Sequence, residues 1–321
     1  MKPFVSIIIP FTRVDDGLKE CLERCAELDF RDFEIILLPD RKPGEDFPGA
    51  RVFETGEIFP SAKRNIGIRE SKGDILAFID SDACPESDWL SKAVPFFSEG
   101  VAAAVGGPNL TKLSDSLLER AGGEVLSCFA GSGLLAARFG KGNFSCLEDL
   151  PACNLLVRKS DLEENGLLFD ERLLTAEDSK LCFELKALGK RLVFSPEVVV
   201  RHHRRRLFGP HLRQYWNYGR DKGFLLRECF STGKAYYLLP SAIVLYTAGG
   251  LALSALEGSL RPFFGATMSF YLLAAAFSGL AKNWRHSPLL FAGIVLTHYT
   301  YGIAFLCGLL SNKQHGMAFN D

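Results

Sequence analysis

Two carboxylates one residue apart close an apolar run in GDILAFIDSDACPES (residues 73–87): Asp80 and Asp82, with Ser81 between them. Carboxylates at that spacing can share a divalent cation, and oxygen ligands suit Mg2+ or Mn2+. The same three residues can also form an ordinary turn, because Asp and Ser side chains hydrogen-bond the local backbone. A second acidic pair, Glu177 and Asp178, opens TAEDSKLCFELKALG (residues 175–189), where Leu181, Leu185 and Leu188 share a helical face. Acids in a first helical turn complement the helix dipole and, with Thr175 as N-cap, make a capping box. Beside a bound cation and a reacting hydroxyl, a carboxylate there can instead act as a general base. Residue types alone leave both alternatives open for each pair.

The segments that must position these acids alternate along the chain. FVSIIIP (4–10), FEIILLPD (33–40) and DILAFIDSD (74–82) are β-rich runs. Between them, DDGLKECLERCAEL (15–28) carries Leu18, Leu22, Cys25 and Leu28 at helical spacing, and SAKRNIGIRESKG (61–73) reads as a short helix. DWLSKAVPFF (88–97) begins another. This β-α-β-α-β order predicts an α/β fold with a doubly wound, mostly parallel sheet. Ligands of such sheets sit at the carboxyl ends of the strands, where Pro10, Asp40 and Asp80–Asp82 fall. The Gly-rich stretch 105–150 reads as loops and short helices over the sheet face.

Charge divides the chain sharply. Residues 1–200 hold 24 Lys and Arg against 34 Asp and Glu, whereas residues 201–235 hold 9 against 2. Residues 236–321 hold 4 against 2, with three apolar runs at 237–256, 262–281 and 288–310. Each is near the roughly 20 residues a helix needs to cross a bilayer. The boundaries expected are therefore a catalytic domain over 1–205, a basic amphipathic membrane-surface linker over 206–235, and about three transmembrane helices over 236–321. Lys282, Arg285 and the basic linker place the large domain in the cytosol by the positive-inside rule. Three spans then put the tail outside, as in a multi-pass protein of the inner (cytoplasmic) membrane. FVSIIIPF is too short for a signal-peptide core and reads as a strand. Nine cysteines without a CxxC pair argue for reduced, packed thiols and against a zinc site. No nucleic-acid partner is expected.

Taken together, VSIIIP, FEIILLPD, AKRNIGIRESKGDILAFIDSDACPESDWL, PACNLLVRKSDLEENGLLFDERLLTAEDSKLCFELKALG and FSPEVVVRHH resemble the family 2 glycosyltransferases, which have the GT-A fold. The resemblance covers roughly residues 4–206 and continues into the apolar segment. It implies that Pro10, Phe11 and Thr12 edge the nucleotide pocket and that Asp40 contacts the donor base. PDRK stands here where many relatives have DDGS. Lys63, Arg64 and Asn65 match a segment lying against base and ribose. Asp80 and Ser81 match the start of the DxD motif near ribose and metal, and Asp82 matches the direct metal ligand. Asp178 matches the catalytic base, with Glu177 supporting it or meeting the acceptor, and Asn154 lies on the acceptor side. His202 or His203 matches a third metal ligand, His202 being favoured. Arg204–Arg206 either contact diphosphate or, as favoured here, face anionic lipid headgroups.

The activity so implied is inverting, Mn2+- or Mg2+-dependent transfer of a sugar from an NDP-sugar, UDP-sugar favoured, with a polyprenyl-phosphate donor left open. Polymer-building relatives carry QxxRW before their membrane helices; here Gln214 is followed by Asn217 and Tyr218 where Arg and Trp would fall. A single transfer is therefore expected, onto a lipid-linked or membrane-proximal acceptor. Two alternatives stand beside it. One is an inactive membrane-anchored sugar-nucleotide-binding scaffold. The other is a haloacid-dehalogenase-type phosphatase with Asp80 as nucleophile, against which stand Cys84 in the motif and the late position of the strand.

Overall fold

The computed structural model describes residues 4–98, 100–140, 149–229 and 235–311. Residues 230–234, where the expected linker ends, and the tail from 312 onward lie outside the described residues. Two compact units result: residues up to 112 with 140–203, and residues 113–139 with 204–311.

The first unit opens with β1 (Val5–Phe11), α1 (Asp16–Ala26), β2 (Phe33–Pro39), β3 (Ala50–Val52), α2 (Pro60–Glu70) and β4 (Ile75–Phe78). It continues through β5 (Ala83–Pro85), α3 (Trp89–Ser98), β6 (Ala104–Gly106) and β7 (Asn109–Thr111). The chain leaves this unit for α4 (Leu117–Leu126) and α5 (Phe129–Ser132). It returns for β8 (Leu155–Arg158), α6 (Lys159–Glu163), α7 (Glu177–Ala187), β9 (Leu192–Phe194) and β10 (Val200–His202).

Seven strands form the main sheet in the order β3-β2-β1-β4-β8-β6-β9. Neighbours are parallel except β8, which runs antiparallel to both β4 and β6. A strand covered on both faces needs an unbroken apolar run, and all seven residues of β1 are buried. Its one polar side chain, Ser6, donates to Glu34 at 2.8 Å. Helix α1 starts where Asp15 accepts from the Leu18 amide, and it buries Leu18, Cys21 and Cys25 against the sheet. Both cysteines are free thiols used as packing residues. Three short strands make a second sheet in the order β5-β10-β7.

The second unit holds α4, α5, α8 (Gly209–Glu228), α9 (Ala235–Leu256), α10 (Arg261–Lys282) and α11 (Ser287–Leu310). The expectation that 105–150 is loop and short helix over the sheet face fails for 113–139. Ala121 and Val125, one helical turn apart on α4, pack instead with Leu207, Leu290 and Ile294. Helices within Tyr236–Leu256, Gly258–Lys282 and Trp284–Leu310 are long and apolar enough to cross a membrane. Large apolar side chains on α9 and α10 face outward, Phe270 at 75% and Phe277 at 71% exposure, as suits a lipid environment.

Candidate active site

β4 stops at Phe78, and the next four residues turn, with the Ala83 amide donating to the Asp80 carbonyl at 3.0 Å. This turn carries Asp80, Ser81 and Asp82 out of the sheet at its carboxyl edge. The small sheet then brings a histidine to them. β10 pairs antiparallel with β5 in a register that sets His202 opposite Ala83, and the His203 amide donates to the Asp82 carbonyl at 3.0 Å. His202 Nε2 lies 3.3 Å from Asp82 Oδ1 and 3.7 Å from Asp80 Oδ2. His203 points elsewhere, its Nε2 3.1 Å from Glu20.

Three consecutive buried residues of α2 tie the rest together. Lys63 pairs with Asp40 and donates to the Phe11 carbonyl at 2.6 Å, joining the ends of β1 and β2. Burial works to lower the Lys63 pKa and Asp40 opposes it; the net direction is down. Arg64 donates from Nη1 to Glu177 Oε1 at 2.6 Å and from Nη2 to Asp80 Oδ1 at 2.7 Å. It lies over the Phe169 ring, and its buried Nε has no hydrogen-bond partner among the described residues. Asn65 is engaged with Phe169 and Glu171. Its amide brackets Phe169, donating to the carbonyl and accepting from the N–H, both at 2.9 Å, and it also donates to Glu171.

Helix α7 begins differently from the expected capping box. Its N-cap is Ala176, in the left-handed region at φ 63°, and it makes no side-chain cap. Strain of this kind in a residue with a Cβ costs about 1–3 kcal/mol and gathers at functional sites. It presents Glu177 and Asp178 in the first turn. Asp178 Oδ2 accepts from the Ala152 amide at 3.0 Å and Oδ1 from the Ser179 amide at 2.7 Å, which fixes the carboxylate's direction.

Charge is unevenly stabilised across the site. Around Asp80, desolvation opposes ionisation, but His202 and Arg64 outweigh it and hold the carboxyl well below the usual range. At Glu177, burial first and then the Asp178 charge push the pKa up to about 8, against the pull of Arg64. Glu177 thus keeps a proton that an unfolded chain loses above its ordinary value of 4.5. The native state binds more protons between those values, so this group's contribution falls as pH rises from about 4.5 to 8. Glu177→Gln copies the protonated form. Its thermal stability should match the parent at the acid end of that window, exceed it by a margin that grows toward pH 8, and then level off. Melting curves of both proteins in detergent across this range provide the check.

Carboxylate oxygens and an imidazole nitrogen are donors of the type that Mg2+ or Mn2+ accepts, and His202 stands within 3.7 Å of both acids. The Cys153 thiol also lies within 4.8 Å of the Asp80 and His202 donor atoms. It accepts from Asn109 at 3.0 Å and is a soft ligand poorly matched to such a cation. Asn154 differs from its expected acceptor-side place. It is fully buried, accepts from Trp89 Nε1 at 2.8 Å, and donates to the carbonyls of Pro108 and Val198. Its amide therefore positions backbone around the site. Pro10 is buried in β1, whereas Thr12 beyond it is exposed and Ser81 is half-buried. The sequence gives no sign of a cluster in which buried Lys112 pairs with half-buried Glu20, which also meets His203. Lys112 lies in no motif, so its position offered no signal.

Comparison with known proteins bears on this geometry. The profile described as "Glycosyl transferase family 2" matches residues 6–126, and that described as "Glycosyl transferase family group 2" matches residues 75–307. The pre-mycofactocin glycosyltransferase of Mycobacterium tuberculosis is 26% identical over 96% of this chain and 67% of its own. A dolichyl N-acetyl-alpha-D-glucosaminyl phosphate 3-beta-D-2,3-diacetamido-2,3-dideoxy-beta-D-glucuronosyltransferase of Methanococcus voltae is 24% identical over 70% of this chain and 74% of its own. Among solved structures, a mannosyltransferase of Pyrobaculum calidifontis, in complex with GDP-Man and Mn2+, superposes with a TM-score of 0.62. It is 18% identical and covers 98% of this chain and 88% of that one, a likeness of fold.

Proposed function

As the chain belongs to the family 2 glycosyltransferases and has their GT-A fold, we propose that it moves one sugar from a nucleoside diphosphate to a hydroxyl of a lipid-linked or membrane-proximal acceptor, with inversion. The observation that carries this is His202 standing within 3.7 Å of both Asp80 and Asp82, with Asp80 joined through Arg64 to the helix start that bears Asp178. Asp80, Asp82 and His202 are the residues to hold Mn2+ or Mg2+, which supplies a Lewis acid for the leaving diphosphate when bound. Asp178 accepts the proton of the acceptor hydroxyl as its oxygen bonds to the anomeric carbon. The bond from that carbon to the diphosphate oxygen breaks on the opposite face, so a single displacement inverts the configuration. No enzyme nucleophile is required. Glu177, holding its proton near neutrality, adds little negative charge beside the base and lets Arg64 serve Asp80. The Lys63–Asp40 pair at the ends of β1 and β2 forms the wall for the donor base. The unit doing this chemistry, residues up to 112 with 140–203 rather than the continuous 1–205 expected, faces the cytosol of a multi-pass membrane protein.

The Methanococcus voltae relative, by its name, acts on a dolichyl-linked sugar phosphate, which supports a lipid-linked acceptor. The GDP-Man and Mn2+ of the Pyrobaculum calidifontis protein support a nucleotide donor and a metal. The test is release of nucleotide by the purified full chain from a panel of UDP-, GDP- and dTDP-sugars. One donor should be hydrolysed slowly, at least about 100-fold slower after chelation, and restored by Mn2+. Release from none of them, with turnover of a polyprenyl-phosphate sugar, would refute the nucleotide donor.

A further inference from the structure

Helix α8 lies along the second half of α11, running in the same direction. His211 meets the Thr297 hydroxyl at 2.9 Å near its start, and Arg227 donates to the Ser311 carbonyl at its end. Between them the backbones touch. A Cβ on Gly219 would sit 2.5 Å from the Tyr301 carbonyl oxygen, and Cβ atoms on Gly223 or Gly308 would lie closer still to Phe305 and Arg220. Yet α8 carries Arg213, Arg220, Asp221, Lys222, Arg227 and Glu228 within its 20 residues. A helix so charged does not line a lipid-surrounded span.

The start of α9 arrives at the same place. Lys222 donates to the Tyr237 hydroxyl at 3.2 Å, Ser241 to the Gly302 carbonyl at 3.1 Å, and Thr247 meets the Tyr299 hydroxyl at 2.7 Å. Three successive crossings would put the start of α9 and the end of α11 on opposite faces, about 30 Å apart. Here Tyr237 near the start of α9 and Ser311 just past α11 both bond to the last two turns of α8, through Lys222 and Arg227. The number of crossings between them must therefore be even.

The geometry points to two spans, α9 and α10, with α11 lying in the membrane surface and the C-terminal end returning to the face where α8 ends. Each of α9 and α10 has 22 residues, about 33 Å of helix, and between them the turn carries Glu257 and Arg261. Their distal halves touch each other at Gly250 and Phe264. Their outward surface is apolar, with Leu251, Phe263, Phe270 and Phe277 each more than half exposed. α11 is different. Its first half is covered by α4 and α5, where His286 pairs with Glu124 and His298 meets the Ala130 carbonyl at 2.6 Å. Its second half is covered by α8. What stays open is a stripe through Leu296, Ile303 and Leu310, the pattern of a helix lying in the interface. The basic residues of α8 with Lys282 and Arg285 then share one face, which the positive-inside rule makes cytosolic.

Two labels on the full chain in a bacterial inner membrane test this. A reporter fused after Asp321 should fluoresce as GFP and be inactive as alkaline phosphatase. Ser259→Cys, at the exposed turn between α9 and α10, should react with a membrane-impermeant maleimide in intact spheroplasts, above the background of the unmodified chain. An active phosphatase at the tail means three crossings and overturns the proposal. Labelling of Ser259→Cys only after permeabilisation means that α9 and α10 do not cross, and overturns it too.

Discussion

Asp178→Asn lowers sugar transfer by about 10²–10⁴-fold, the usual range for loss of a general base, and leaves donor affinity within about twofold. The expectation rests on where the carboxylate is held. Ala152 and Ser179 amides fix both of its oxygens, and neither it nor its supports share atoms with the Asp80–Asp82–His202 group. In the proposed function donor binding draws on that group and on the Lys63–Asp40 wall, which the substitution leaves intact. An amide in place of the carboxylate must aim its NH2 at one of two backbone N–H donors, so the variant also melts slightly lower. Transfer rates with the donor found by the panel, alongside calorimetric donor titration, separate the two effects. Unchanged transfer would remove Asp178 from the role of base. A parent chain that binds donor but transfers nothing, with or without Asp178, would instead be the inactive scaffold.

The main sheet was legible because it is built from local signals: β1, β2 and β4 are continuous apolar runs, and the helices between them have a clear apolar period. The acids could be read as a pair of pairs for the same reason, since strand ends and helix starts are local features. What was not legible depends on contacts distant in sequence. β5, β7 and β10 are three residues each, too short for periodicity, and only their register decides that His202 and not His203 turns toward Asp82. The family resemblance implies one segment, Lys63-Arg64-Asn65, lying against base and ribose. Successive helical residues point about 100° apart, so the three divide among Asp40, the two acids and Phe169. A usable hint was passed over in α8, where Gly219 and Gly223 stand four apart in a polar helix. That spacing marks close helix approach.

Arg64→Met should be the most destabilising of the site substitutions that leave the main chain unchanged. The guanidinium sits between Glu177 at 2.6 Å and Asp80 at 2.7 Å, with the Arg64 and Glu177 side chains 4% and 8% exposed. Removing the cation from such a buried group strands the Asp80 carboxylate and takes a partner from the Glu177 carboxyl, a loss of about 3–5 kcal/mol. In a chain of this size that amounts to roughly 6–15 °C in Tm. Arg64→Lys restores charge but not the fork that reaches two acids at once, and should recover only part of the loss. The pH dependence follows from Glu177, whose pKa already stands at about 8 with Arg64 in place. Without the guanidinium its ionised form is worse still, so the proton is held more tightly. The deficit of Arg64→Met is then largest at alkaline pH, where Glu177 must ionise, and narrows as acid lets both proteins keep that proton. Melting curves of parent, Met and Lys variants from pH 5.5 to 9 decide the matter. A shift below about 2 °C, flat across that range, would mean that Arg64 does not hold the two acids in the folded protein.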